Sequence, residues 1–169
     1  RDAGARGAAW RTLQAGDRVA FQGATLSVWH PPPGDWERQR VRDDDSLVME
    51  LAFGRVSVVL TGDVGGPVER ELARRPDPPP TVRVLKVPHH GSATSSSPEF
   101  LEAMGPQAAV ISAGRGNPFG HPAESVLERY RAANARVLRT DRDGAIVIET
   151  DGRAAWIRTH AGTTVIRLP

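Results

Sequence analysis

Val84-Leu85-Lys86-Val87-Pro88-His89-His90-Gly91-Ser92 carries more structural information than any other stretch of this chain. Apolar positions around a single lysine mark a buried strand that stops at Pro88. The strand then delivers two adjacent histidines, a glycine and a serine into a loop. Three further polar stretches stand at comparable strand ends: Thr61-Gly62-Asp63, Asp43-Asp44-Asp45-Ser46 and Gly120-His121-Pro122. Ligand and catalytic groups of α/β sheets gather at the carboxyl ends of strands, so these four loops are expected on one rim. Such a rim has the make-up of a metal-dependent hydrolase site.

The flanking signals place this run in a mixed sheet. Arg18 to Phe21 and Thr25 to Trp29 flank a turn at Gly23, and the second strand stops at His30-Pro31-Pro32-Pro33-Gly34. Asp35 to Arg42 is polar and reads as a surface excursion. Ser46 to Ala52 and Arg55 to Leu60 form a second hairpin about Phe53-Gly54, with the alternation and β-branched residues of strands. From Asp63 the period changes. Pro67 suits the start of a helix over Val68 to Arg75, ended by Pro76 and the Asp77-Pro78-Pro79-Pro80 run. Ser97-Pro98-Glu99 supplies an N-cap, a first-position proline and an acidic first turn for a helix to Met104. Ala108 to Ser112 is the next strand, and His121-Pro122 opens a helix to about Ala133, with Asn134 as its stop. Arg136 to Thr140, Ala145 to Glu149 and Ala154 to Arg158 read as strands, with turns at Asp143-Gly144 and Asp151-Gly152. The fold class is therefore α/β, with helices covering one face of the sheet. Strands such as Val56 to Leu60 are apolar on both sides, so the second face needs another layer.

Composition bounds the rest. At 169 residues, 39% hydrophobic and 25% charged, the chain suits one globular domain with a core of its own. No stretch approaches the roughly 18 apolar residues of a membrane span, and Arg1 to Arg11 lacks the apolar core of a signal peptide. The absence of cysteine removes disulfides, thiol catalysis and Cys-type zinc sites. The net charge is only +2, with Lys86 the single lysine. Arginine binds phosphate in a planar, bidentate way, which suits an anionic polymer, although a GC-rich coding bias explains the same composition equally well.

Asp63, delivered by Val58-Val59-Leu60 through a Gly turn, is placed to bridge two cations; the competing reading is a cap on the following helix. His89 and His90 are neighbours, so on an extended chain one faces the site and the other braces the loop. His121 is a metal ligand or a general acid near a scissile phosphate, or else a cap. Gly114-Arg115-Gly116-Asn117 offers a guanidinium and backbone N–H groups to phosphate, and Ser92 is a further phosphate contact. Asp43 to Asp45 form an acidic turn that reads as solvated carboxylates, or as one carboxylate joining a metal shell, with Asp45 and Ser46 as supports behind the ligands. His30 reads as strand punctuation, and no Gly-x-Ser-x-Gly elbow makes Ser92 to Ser97 a serine hydrolase.

These motifs, together with Ser95-Ser96-Ser97-Pro98-Glu99-Phe100, Val110 to Asn117, Phe119-Gly120-His121-Pro122 and Arg139 to Ala145, resemble the metallo-β-lactamase-like domain of the ComEC family of DNA-uptake proteins. The similarity covers roughly residues 15–150 of a single unit at 1–169, whose end at 151–169 reads as terminal strands. The resemblance implies an αββα sandwich, here mainly its second half, and a two-metal site holding Zn²⁺ or Mn²⁺. Asp63, His90 and His89 then fall among the metal ligands, with His89 and His121 as catalytic groups and Arg115, Asn117 and Ser92 on the phosphate. It further implies phosphodiester hydrolysis on the strand of DNA that is not taken in. The chain would be a soluble domain of a polytopic bacterial inner-membrane protein, with single-stranded DNA, the membrane channel, the upstream half of the domain and other competence proteins as partners. One departure stands out: the His-x-His-x-Asp-His motif of the superfamily is absent, so the chain reads as one part of a larger protein whose other part completes the site, in preference to a truncated, inactive relative. Two other readings are a non-catalytic module that holds single-stranded DNA and a metallo-hydrolase of small substrates.

Overall fold

A computed structural model describes residues 2–9, 11–34, 42–75, 81–160 and 166–168. The polar segment at 35–41 and the proline run at 76–80 lie outside the described residues. After a one-turn helix α1 (Asp2–Ala5), four strands run as an antiparallel meander: β1 (Arg18–Phe21), β2 (Ala24–His30), β3 (Val48–Phe53) and β4 (Val56–Leu60). Pairing then becomes parallel. Helices α2 (Gly66–Ala73), α3 (Pro98–Met104) and α4 (Glu124–Ala132) carry the chain from β4 to β5 (Val82–Lys86), β6 (Ala108–Ile111) and β7 (Arg136–Arg139). The result is one seven-stranded sheet in the order β1-β2-β3-β4-β5-β6-β7.

Alternation along the central strands divides the core in two. Val59, Leu85, Val87, Ala109 and Ile111 point to one face, where Val68, Leu72, Phe100, Leu101, Met104, Val126, Leu127 and Tyr130 of the three helices bury them. Val56, Val82, Val84, Ala108 and Leu138 point to the other face and pack against Ala155 and Ile157. Those two belong to a second sheet, β8 (Ile146–Thr150), β9 (Ala155–Thr159) and β10 (Ile166–Leu168), in the order β10-β9-β8. The chain's own last strands thus supply part of the second layer.

Three local expectations change. Asp143-Gly144 does not join two paired strands: after β7 the chain makes a short helix, α5 (Thr140–Asp143), and leaves the first sheet, so β7 and β8 lie in different layers. The fourth helix begins at Glu124 rather than at His121, with Ala123 in extended conformation at its cap. Ser97 stands at the cap position of α3 but its hydroxyl makes no cap bond and is buried without a partner. The buried carboxylate of Glu69 on α2 takes that place, accepting the N–H groups of Ser96 and Ser97.

Candidate functional site

Topology builds the rim. The carboxyl ends of parallel strands β4, β5 and β6 lie at one edge of the sheet, and antiparallel pairing brings the start of β3 and the end of β2 to that same edge. Thr61-Gly62-Asp63, His89-His90, Ser112 to His121, Asp43 to Ser46 and His30 therefore share it.

The two histidines do not alternate. His89 (φ 46°) and His90 (φ 55°) are both in the left-handed region, so the extended-chain argument fails and both rings turn toward the rim. Gly91 follows at φ 81°; a Cβ there would lie 2.6 Å from Cβ of Pro122, so the His89-His90 loop lies directly on the His121-Pro122 segment. His90 Nδ1 lies 2.7 Å from the carbonyl of Ser112. A carbonyl only accepts, so Nδ1 donates and Nε2 is the atom presented to Asp63 Oδ2, 3.3 Å away. His89 Nε2 lies 3.9 Å from Asp43 Oδ2, and its ring centroid is 5.9 Å from that of His121. Partial burial, followed by repulsion between its imidazolium and the neighbouring rings of His89 and His90, holds the pKa of His121 below its ordinary range.

Asp63 is not a helix cap: α2 starts at Gly66, and the amide of Gly65 is bound by Asp44 Oδ1. The Asp63 carboxylate lies between His90 and Lys86, whose Nζ is 3.6 Å from Oδ1 and donates to the carbonyl of Gly62 at 2.8 Å. Burial draws the Lys86 ammonium below its usual range, and Asp63 pulls it back up. Ser46 Oγ accepts the Asp63 N–H at 3.1 Å, and Gly62 (φ 56°) leaves no room for a Cβ beside it. Ser46 thus supports Asp63 from behind. Asp45 does not; it binds Arg42.

On the far wall the side-chain amide of Asn117 ties the loop together, donating to the carbonyls of Gly114 and His121 and accepting the His121 N–H. Both of its N–H donors and one of its two acceptor lone pairs are used within the loop. Arg115 is exposed, with Nε 3.4 Å from the carbonyl of Asp141. Ser92 Oγ bonds to Thr94. A pocket of about 240 Å³ opens here between His90, Ser112, Asn117, Phe119 and His121.

Some contributors escaped the sequence reading. His30 is buried, and its Nε2 donates to the carbonyl of Asp44 at 2.7 Å, fixing the acidic turn. Thr140 Oγ1 accepts the Ala113 N–H at 2.9 Å and holds the end of β6. Arg129 gathers the carbonyls of Ala93, Ser95 and Ser96, while Ser95 Oγ reaches those of Pro88 and Ser92. Only the His-Pro-Pro-Pro sequence pointed to His30; nothing local marks Thr140 or Arg129.

With Nδ1 carrying the hydrogen, neutral His90 offers a lone pair to the space that Asp63 Oδ2 also faces, a donor pair suited to Zn²⁺ or Mn²⁺. The fit covers part of a coordination shell. Among the described residues no group of three or more His, Asp or Glu side chains is placed to hold a metal ion.

Comparison with known proteins adds the family. The signature described as the Metallo-beta-lactamase superfamily matches residues 27–115. The chain is 35% identical over 140 residues to ComE operon protein 3 of Bacillus subtilis, covering 83% of this chain and 18% of that protein. It is 39% identical over 111 residues to Competence protein ComA of Neisseria gonorrhoeae, covering 65% of the chain and 16% of that protein. Recombination protein 2 of Haemophilus influenzae is 37% identical over 107 residues, covering 63% of the chain and 13% of that protein. The chain thus spans less than a fifth of the length of these relatives. Among the described residues no helix is long and apolar enough to cross a membrane.

Proposed function

Because the chain belongs to the metallo-beta-lactamase superfamily, in the form carried by ComEC-type competence proteins, we propose that it forms one wall of a metal-dependent phosphodiesterase site acting on DNA during uptake. The observation that carries this reading is the meeting of Asp63 with His90, and of His89 with His121, at the single edge where the parallel strands end. Asp63 and His90 are the residues that would hold Zn²⁺ or Mn²⁺, with further donors from beyond the described residues. When bound, such an ion supplies Lewis-acid polarisation of a phosphoryl oxygen and a more acidic water.

The chain's own groups divide the remaining work. The surroundings of His121 disfavour its imidazolium, and the ring stands beside His89 where it can exchange a proton with the substrate, the general-acid role included. Arg115 meets the phosphate directly, while Asn117 positions the Arg115–His121 loop rather than the substrate. In this reading the chain works as a domain of a bacterial inner-membrane protein, beside the channel through which a single strand passes.

The test uses full-length protein, assayed for hydrolysis of single-stranded DNA and for bound zinc and manganese. Asp63→Asn should lower hydrolysis by about 100-fold or more and reduce metal content. Hydrolysis at the wild-type rate in Asp63→Asn refutes the proposal. Salt-dependent DNA binding that survives Asp63→Ala and His90→Ala, with no hydrolysis by any form, would instead favour a scaffold for single strands.

A further inference from the structure

Phe119 is 77% exposed, the most exposed large hydrophobic side chain among the described residues. A single exposed aromatic is ordinary by itself, but this ring is not on a loosely held loop. Asn117 clamps the segment on both sides of it, through the Gly114 carbonyl at 3.0 Å and the His121 carbonyl at 2.7 Å. The Phe119 ring is stacked on His121, with centroids 6.0 Å apart and planes 25° apart. Two flat rings thus stand side by side on the lining of the 240 Å³ pocket, with Ser112, Ala113 and Gly114 among the other lining residues. That volume is below the roughly 300–1,000 Å³ of sites that enclose a drug-sized ligand, and suits a single planar group. On the same loop Arg115 is exposed, and only its Nε has a partner among the described residues.

We propose that Phe119 is a stacking platform for one nucleobase of a DNA single strand, set so that the adjoining phosphate falls to Arg115 and His121. The proposal rests on the DNA-hydrolase reading and names the subsite that reading leaves unassigned. A flat apolar face beside a guanidinium is the chemistry of single-strand recognition, in which each base offers a π-face and each link a phosphate. Stacking itself tolerates any base, and both N–H donors of Asn117 are already committed to the loop. It selects against duplex, since a base within a stack has no free face to offer.

The experiment measures binding of the full chain to two single-stranded oligonucleotides of equal length. One carries a 2-aminopurine among ordinary bases, and the other is abasic throughout. The intact chain should bind the base-bearing strand roughly 5- to 150-fold more tightly than the abasic one, and should quench 2-aminopurine. Phe119→Ala should erase both the ratio and the quench, while Phe119→Trp keeps them. Phe119 is a surface side chain, so Phe119→Ala leaves the core untouched. An unchanged ratio in Phe119→Ala overturns the platform. If hydrolysis depends on Asp63 but is indifferent to Phe119, the platform alone falls. If the intact chain binds neither strand, the DNA reading falls with it.

Discussion

Glu69→Gln is a change of one atom in a buried place. Glu69 is fully buried, and each of its two carboxylate oxygens accepts a backbone N–H, one from Ser96 and one from Ser97. Hydrogen bonds to charged groups contribute about 1.5–3 kcal/mol each, and a neutral one about 0.5–1.5 kcal/mol. Glutamine keeps one acceptor but turns an NH₂ toward the second N–H, so one bond is lost and the other weakened. It also removes a negative charge from the amino end of α3, where the Ser97 hydroxyl offers no cap. The expected loss is about 2–4 kcal/mol, against a total stability of roughly 5–15 kcal/mol for a domain. Urea unfolding followed by tryptophan fluorescence should show the midpoint falling at constant slope, with a melting temperature lowered by roughly 5–15 °C. Glu71→Gln, exposed on the same helix, should change stability by less than about 0.5 kcal/mol. If the two variants unfold alike, Glu69 does not hold the serine segment and the reasoning is wrong. The serine segment in turn grips the carbonyls of Pro88 and Ser92, so amide exchange across His89 to Ser92 should quicken in Glu69→Gln.

Gly91→Ala combines a positive φ with a Cβ 2.6 Å from that of Pro122, and should cost about 2–4 kcal/mol in the same denaturation assay; a loss under 1 kcal/mol means the two loops can separate freely. The NMR titration of His121 should have its midpoint below 6.5, because burial first and His89 and His90 second disfavour the imidazolium, and His89→Ala should move it back upward. Between that midpoint and 6.5 the unfolded chain holds the extra proton, so this group's contribution to stability is lost as pH falls through the window, and a midpoint at or above 6.5 contradicts the placement.

The meander and the parallel strands were legible because alternation and β-branched residues mark a strand wherever one face or both are buried, as at Val56–Leu60 and Val82–Lys86. The switch of layers after β7 was not. Asp143-Gly144 has the composition of a hairpin turn, and only the packing of Ile157 against Val84 and Leu138 shows that the chain has crossed to the other face. The histidine pair exposed a second limit: alternation presumes an extended backbone, and both residues have positive φ. Glu69 and His30 were invisible for a third reason. A glutamate in an amphipathic helix reads as solvated, and a histidine before proline reads as a strand end, until the third element that each one braces is in place.

Lys86 connects these limits to the chemistry. It is the single lysine among 22 Lys and Arg residues, and it stands on the rim at the end of β5. Its Nζ lies 2.8 Å from the carbonyl of Gly62, 3.3 Å from that of Val87 and 3.6 Å from Asp63. A compact ammonium can direct its three hydrogens to targets in different directions, whereas a planar guanidinium presents a fixed fork and needs more room. The same cation that steadies the Gly62 turn also sits on one oxygen of Asp63, so only the other oxygen faces His90. Backbone groups around the rim are satisfied within the chain: Ser112 by His90, Asp44 by His30, Gly114 and His121 by Asn117, and Ala113 by Thr140. Directed outward from the rim are Asp63 Oδ2, the Nε2 of His90, the imidazoles of His89 and His121, the Asp43 carboxylate and the Arg115 guanidinium.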